Sequence, residues 1–179
     1  VFAPNENGFG AAYASFQFSL YDGKESSATA GIITVNVTAV NDVPALTFVE
    51  NPEPFLEDDG QQLILLRGIG VGAANESQTL TLSATSSNTD VISTPTIEYT
   101  SPNSSAVLRF SSAGDAHGVE TLSITVTDDG GTELGGINSF TQSFDVTVLP
   151  VNDAPTLDPV PDLHVLRDID GAIPPQTLD

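Results

Sequence analysis

One short string occurs twice in this chain and limits what the rest can fold into. Val40-Asn41-Asp42-Val43-Pro44 returns as Val151-Asn152-Asp153-Ala154-Pro155, 111 residues later. The likeness extends upstream. Ile33, Val35 and Val37 fall one period before Phe144, Val146 and Val148, and both triplets alternate with polar residues. Further up, Phe16-Gln17-Phe18-Ser19-Leu20-Tyr21-Asp22-Gly23 matches the run from Leu122 to Gly130, with a loop about five residues longer in the second copy. Self-similarity at a fixed period is the mark of a tandem array. The expected organisation is the C-terminal part of one repeat at 1–42, a complete repeat at 43–153, and the N-terminal part of a third at 154–179.

Period-two alternation fixes the kind of element. Leu80, Leu82 and Ala84 alternate with Thr and Ser, as do Leu122, Ile124 and Val126, while Ala106, Leu108 and Phe110 are interleaved with Val107 and Arg109. Leu63–Leu66 is a continuous apolar run, which predicts a fully buried strand. Turn residues separate these runs at Asp59-Gly60, Ser101-Pro102-Asn103, Asp115–Gly118 and Asp128–Gly136. No stretch carries a helical stripe. About seven short strands in some 110 residues predict an all-β fold, a Greek-key, immunoglobulin-like β-sandwich repeated in tandem.

Charge and composition exclude several functions. With 24 acidic against 4 basic residues the net charge is −20, which leaves no cationic footprint for nucleic acid and no reason to expect membrane insertion. The absence of Cys excludes disulfides, thiolate zinc sites and a cysteine nucleophile. His117 and His164 have no His partner at metal spacing, and no nucleophile elbow is present, so no catalytic role is expected. Gly68-Ile69-Gly70-Val71-Gly72 lacks the dinucleotide spacing, and Asp168-Ile169-Asp170-Gly171 is half a calcium loop with no following Glu at the required distance. Lys24, the one Lys, sits in a turn sequence unsuited to a buried isopeptide bond. Asn36, Asn75 and Asn103 begin glycosylation sequons.

The pattern strand, Thr-Asp-Asp-Gly-Gly, strand, Val-x-Val-x-x-Val-Asn-Asp-x-Pro resembles the tandem cadherin-like modules of large bacterial surface proteins and adhesins. It is also similar to the end of a eukaryotic cadherin repeat. The resemblance implies an extracellular structural or adhesive stalk, stiffened by Ca2+ at its linkers. Carried over by position, it implies metal ligands at Asn41-Asp42 and Asn152-Asp153 in the linkers and at Asp128 or Asp129 in the loop after a strand. Glu57, with Asp58 as the alternative, takes the place of the acid near the start of the module. Asp115 or Glu120 takes that of the mid-module acid. Arg167 stands where Glu57 does, and no Asp-x-Asp pair follows either linker, so a full three-ion cluster is not expected. Calcium takes about six to eight oxygen ligands, which carboxylates, amides and carbonyls at such a junction supply. Read without the resemblance, Asn-Asp-x-Pro is an Asx-turn whose side chains cap local backbone.

The expected partners are neighbouring repeats or other copies of the chain, which could complete one another's partial repeats into filaments by strand addition. Glycans or a host cell surface are further expected partners. A rival reading is an accessory carbohydrate-binding module of a secreted polysaccharide-degrading enzyme. Against it, Trp is absent and Tyr13, Tyr21 and Tyr99 are the only tyrosines available to stack on sugars.

Overall fold

A computed structural model describes residues 1–159, and the Arg167, His164 and Asp168–Gly171 readings lie outside the described residues. The described residues are all β, with one short 3-10 turn at Glu133–Gly135 and no α-helix. The strands are β1 (Gly10–Phe18), β2 (Gly31–Val37), β3 (Phe55–Leu56), β4 (Gln62–Arg67), β5 (Leu80–Ser86), β6 (Thr96–Glu98), β7 (Ser105–Phe110), β8 (Gly118–Asp128) and β9 (Ser139–Leu149).

Strands β3 to β9 build a two-sheet module. One sheet has the order β3-β9-β8-β5 and the other β4-β7-β6. All pairings are antiparallel except β3 with β9, where Phe55 lies beside Val148 and Leu56 beside Leu149. Alternation places Leu122, Ile124 and Val126 of β8 and Phe144, Val146 and Val148 of β9 on the inner face, where they are buried. Leu66, Ala106, Leu108 and Phe110 meet them from the other sheet, with Ile92 and Phe55 closing the ends of one core. The outer face of β8 and β9 is hydroxylated: Ser123 pairs with Ser143 and Thr125 with Thr141, each at 2.8 Å.

The Leu63–Leu66 expectation needs correction. Leu66 is buried, but Leu63 and Leu65 are 58% and 50% exposed. β4 forms one side of an antiparallel sheet with a single covered face, so alternate residues of even an apolar run point to solvent.

Residues 10–37 form a separate two-stranded sheet whose pairing over Ala14–Phe18 matches that of β8 and β9, with a bulge between Gly10 and Ala14 that β8 and β9 lack. Phe16 pairs with Ile33 as Leu122 pairs with Phe144, and Phe18 pairs with Gly31 as Ile124 pairs with Gln142. Gly10 lies opposite Val37 and Gly118 opposite Val148, with φ of +145° and +149°. The turn chemistry matches too. Asp22 Oδ1 accepts from Lys24 N at 2.8 Å, and Asp128 Oδ1 accepts from Gly130 N at 2.9 Å. Asp22 also accepts from Glu25 N, and these two backbone bonds hold its carboxyl below the usual range.

Candidate functional site

The sequence-predicted ligands separate into two groups at opposite ends of β8. Asp115 and His117 precede this eleven-residue strand and Asp128 ends it, a separation of about 33 Å for an extended strand.

The first group surrounds the linker that enters the module. Asn41 Nδ2 donates to Asp128 Oδ1 at 2.9 Å and to the Ile137 carbonyl at 2.8 Å. Its Oδ1 accepts from Gln78 Nε2 at 2.8 Å, and its backbone carbonyl accepts from Ile137 N at 3.2 Å. Gly130 and Gly136 lie so close that a Cβ at Gly130 would collide with Oδ1 of Asn41. Asn41 is therefore a staple between the linker and the loop after β8, with partners 37 to 96 residues away. It is not engaged in a local Asx-turn. Asp42 contributes its backbone N–H, which donates to Glu76 Oε1 at 3.0 Å. Pro44 is fully buried just beyond. Asp129 Oδ1 accepts from Thr79 N at 2.8 Å, tying the same loop to the start of β5. Asp128 is buried with Oδ2 unpartnered, as is Oε1 of Gln78.

Glu76 and Gln78 were not singled out by the sequence. Each acts across a long stretch of chain from an irregular loop, so neither periodicity nor a motif marks them.

The second group lies where the chain leaves the module. Glu57 is buried; its Oε1 accepts from Val151 N at 2.7 Å, which holds the start of the second linker. The backbone of Glu57 is fixed as well, since its N–H donates to Leu149 O at 3.0 Å and its carbonyl accepts from Ser112 Oγ. Glu57 Oε2 has no hydrogen-bond partner and lies 3.6 Å from His117 Nδ1, whose ring is largely exposed. Around it the charges are alike. The Asp115 carboxylate, then some loss of hydration, then Asp58 and Glu57 raise the carboxyl of the exposed Asp153 above its usual range. Glu120 stands apart from this group, accepting from Ser87 Oγ at 2.6 Å. Asn152 Nδ2 donates to the carbonyl of its neighbour Asp153 at 3.1 Å. Positions one period after Gln78 and Asp128, which hold Asn41 at the first linker, fall past residue 179.

In this second group Asp115, Asp58 and Glu57 all act electrostatically on Asp153, while the free oxygen of Glu57 has His117 as its neighbour. Among the described residues, however, no three His, Asp or Glu side chains converge into a ready-made metal cage. Of the tyrosines, Tyr99 packs on the core, Tyr13 meets the edge of Phe2, and Tyr21 stands exposed in a turn. A cleft of about 570 Å³ lies at the first junction, between the Pro4–Phe9 segment, the linker and the Asn75–Gln78 loop.

No protein-family model matches this chain, and no curated protein matches it. Among solved structures it is similar to parts of the S-layer protein SbsC. Against domains 4 and 5 the TM-score is 0.39 at 14% identity, covering 76% of this chain and 58% of that one. Against domains 4–9 the values are 0.40 and 14%, covering 80% and 19%. Against domains 1–6 they are 0.40 and 16%, covering 83% and 19%. The chain spans less than two-thirds of each of these structures.

Proposed function

We propose that this chain is a segment of an extracellular structural rod, built from Greek-key, cadherin-like sandwiches joined end to end by Asn-Asp-x-Pro linkers. One observation carries the reading. Asn41 of the linker is built into the downstream module by hydrogen bonds to Asp128, Ile137 and Gln78, and the same linker string returns one period later. A linker held this way sets a direction between modules, which suits reach and stiffness. The like pairing of Phe16 with Ile33 and of Leu122 with Phe144 supports the same reading.

Calcium belongs to the proposal at the exit end of the module. Glu57, Asp58, Asp115 and Asp153 would have to draw together to hold it, and the ion would neutralise the like charges that already act on Asp153. Extracellular modules bind calcium at ~10⁻⁴–10⁻³ M, and at tenfold excess over the dissociation constant one site adds about 1.4 kcal/mol. That is enough to order a junction and too little to fold a module.

The test is X-ray scattering from an array of three successive copies of residues 43–153. The expected outcome is a maximum dimension that grows in proportion to repeat number. A compact particle would overturn the rod. For the ion, the melting temperature and the scattering length are compared with calcium and with chelator; a response in neither removes calcium from the account.

A further inference from the structure

Two turns far apart in the sequence share two positive-φ positions at the same spacing. Asn7 has φ of +56° and Asp115 φ of +55°, a left-handed conformation that Asn and Asp adopt more readily than most residues. Three residues on, each is followed by a glycine with nearly the same positive φ, Gly10 and Gly118, and those glycines pair with Val37 and Val148. The turns Asn7–Gly10 and Asp115–Gly118 are thus one element in successive repeats. Each sits at the start of the hairpin that closes its repeat.

At the first junction this turn touches the next module. Asn75 Nδ2 donates to the Asn7 carbonyl at 2.6 Å. Asn75 belongs to the same loop as Glu76, which holds the Asp42 N–H, and Gln78, which holds the Asn41 side chain. One short loop therefore grips the linker at two points and the preceding repeat at a third. Two points along a linker leave a rotation about it; a third point off that line removes it.

We infer that Asn75 is an inter-repeat latch, and that the turn beginning at the left-handed Asn or Asp is the surface by which each repeat abuts the next. The partner of Asp115–Gly118 is then the corresponding loop of an adjoining repeat, presenting a side-chain N–H donor to the Asp115 carbonyl. The assignment also bears on the Asn75-Glu76-Ser77 sequon, because an N-linked glycan would be attached to the nitrogen that makes the latch.

This inference rests on the rod reading. Its test uses the whole chain, comparing the parent protein with Asn75→Ala and, as a control, Asn103→Ala in a turn at a distance in sequence from the linker. Amide exchange is followed at Gly8 and Gly10, and residual dipolar couplings are measured for β1–β2 and for β8–β9. In the parent and the control, one alignment describes both hairpins. In Asn75→Ala, the β1–β2 couplings shrink while those of β8–β9 stay unchanged, and exchange in the Asn7 turn quickens by about two- to tenfold, the factor one net hydrogen bond implies. Unchanged couplings and exchange in Asn75→Ala would overturn the latch. An extended array of repeats alongside that result would leave the rod reading standing, whereas a compact array would remove both.

Discussion

The hairpins β1–β2 and β8–β9 share the pairing near their turns, a positive-φ glycine and an Asp-capped turn, yet β1 carries a bulge and the two differ in burial. Leu122 is 0% exposed and its counterpart Phe16 is 46% exposed; Phe144 is 4% exposed and its counterpart Ile33 is 54% exposed. The difference has one visible source. The inner face of β8–β9 meets β4-β7-β6, whereas that of β1–β2 meets little beyond Phe2, whose ring lies 5.7 Å from that of Phe16. Pairing and turn geometry are therefore local properties of the repeat sequence, while burial requires an opposing sheet.

The contrast can be tested by truncating equivalent side chains. Leu122→Ala removes a fully buried side chain and is expected to lower the stability of the module by about 2–5 kcal/mol in chemical denaturation. The counterpart Phe16→Ala should cost well under half as much, because the ring is already half in water. Equal losses would show that the two inner faces are covered alike.

Between these extremes lies the linker staple. Asn41→Ala leaves Asp128 without its side-chain donor and Gln78 without its acceptor, at an expected cost of about 1–3 kcal/mol in the same measurement. Asn152→Ala, at the other linker, loses a contact to its own neighbour and should change stability by less than about 0.5 kcal/mol. A similar cost at both would break the contrast between the linkers.

A smaller effect concerns pH. The Asp153 carboxyl is raised in the folded chain, chiefly by Asp115, so the folded state holds its proton more tightly than the unfolded one. The exit junction is therefore most stable below the ordinary Asp range and loses that contribution as pH rises through the raised value. Asp153→Asn should flatten this dependence in melting temperature against pH, and added salt should mimic the substitution. The smallest effect is expected at the surface. Arg109 forks onto Glu98 at 2.9 and 3.0 Å, and Arg109→Ala should cost less than about 1 kcal/mol in denaturation.

Much of the fold was legible because its signals are periodic. Alternation located the inner faces of β5, β7, β8 and β9, and the repeat indicated that residues 33–37 form a strand as 144–148 do, though not that they are buried alike. The run Leu63–Leu66 misled because an all-apolar stretch has no alternation to show which of its residues face water. The site was less legible. Asn41 stood out through recurrence, but its partners Gln78, Asp128 and Ile137 come together through folding over long separations. Glu76 and Asn75 sit in a loop whose composition marks only a turn. The acids Glu57, Asp115 and Asp153 were indicated by resemblance, and the effect of the first two on Asp153 depends on a fold that brings distant segments to one end of the sheet.

The parallel contact of β3 with β9 bears on what happens when the two ends of the module are drawn apart. The chain enters near Pro44 and leaves after Leu149, and Phe55 and Leu56 run in the same sense as Val148 and Leu149. Tension applied through the linkers slides these segments past one another, so their bonds, including Glu57 N to Leu149 O and Val151 N to Glu57 Oε1, bear the load together instead of opening in turn. A module fastened in this way is expected to yield abruptly at a threshold and to resist gradual stretching below it.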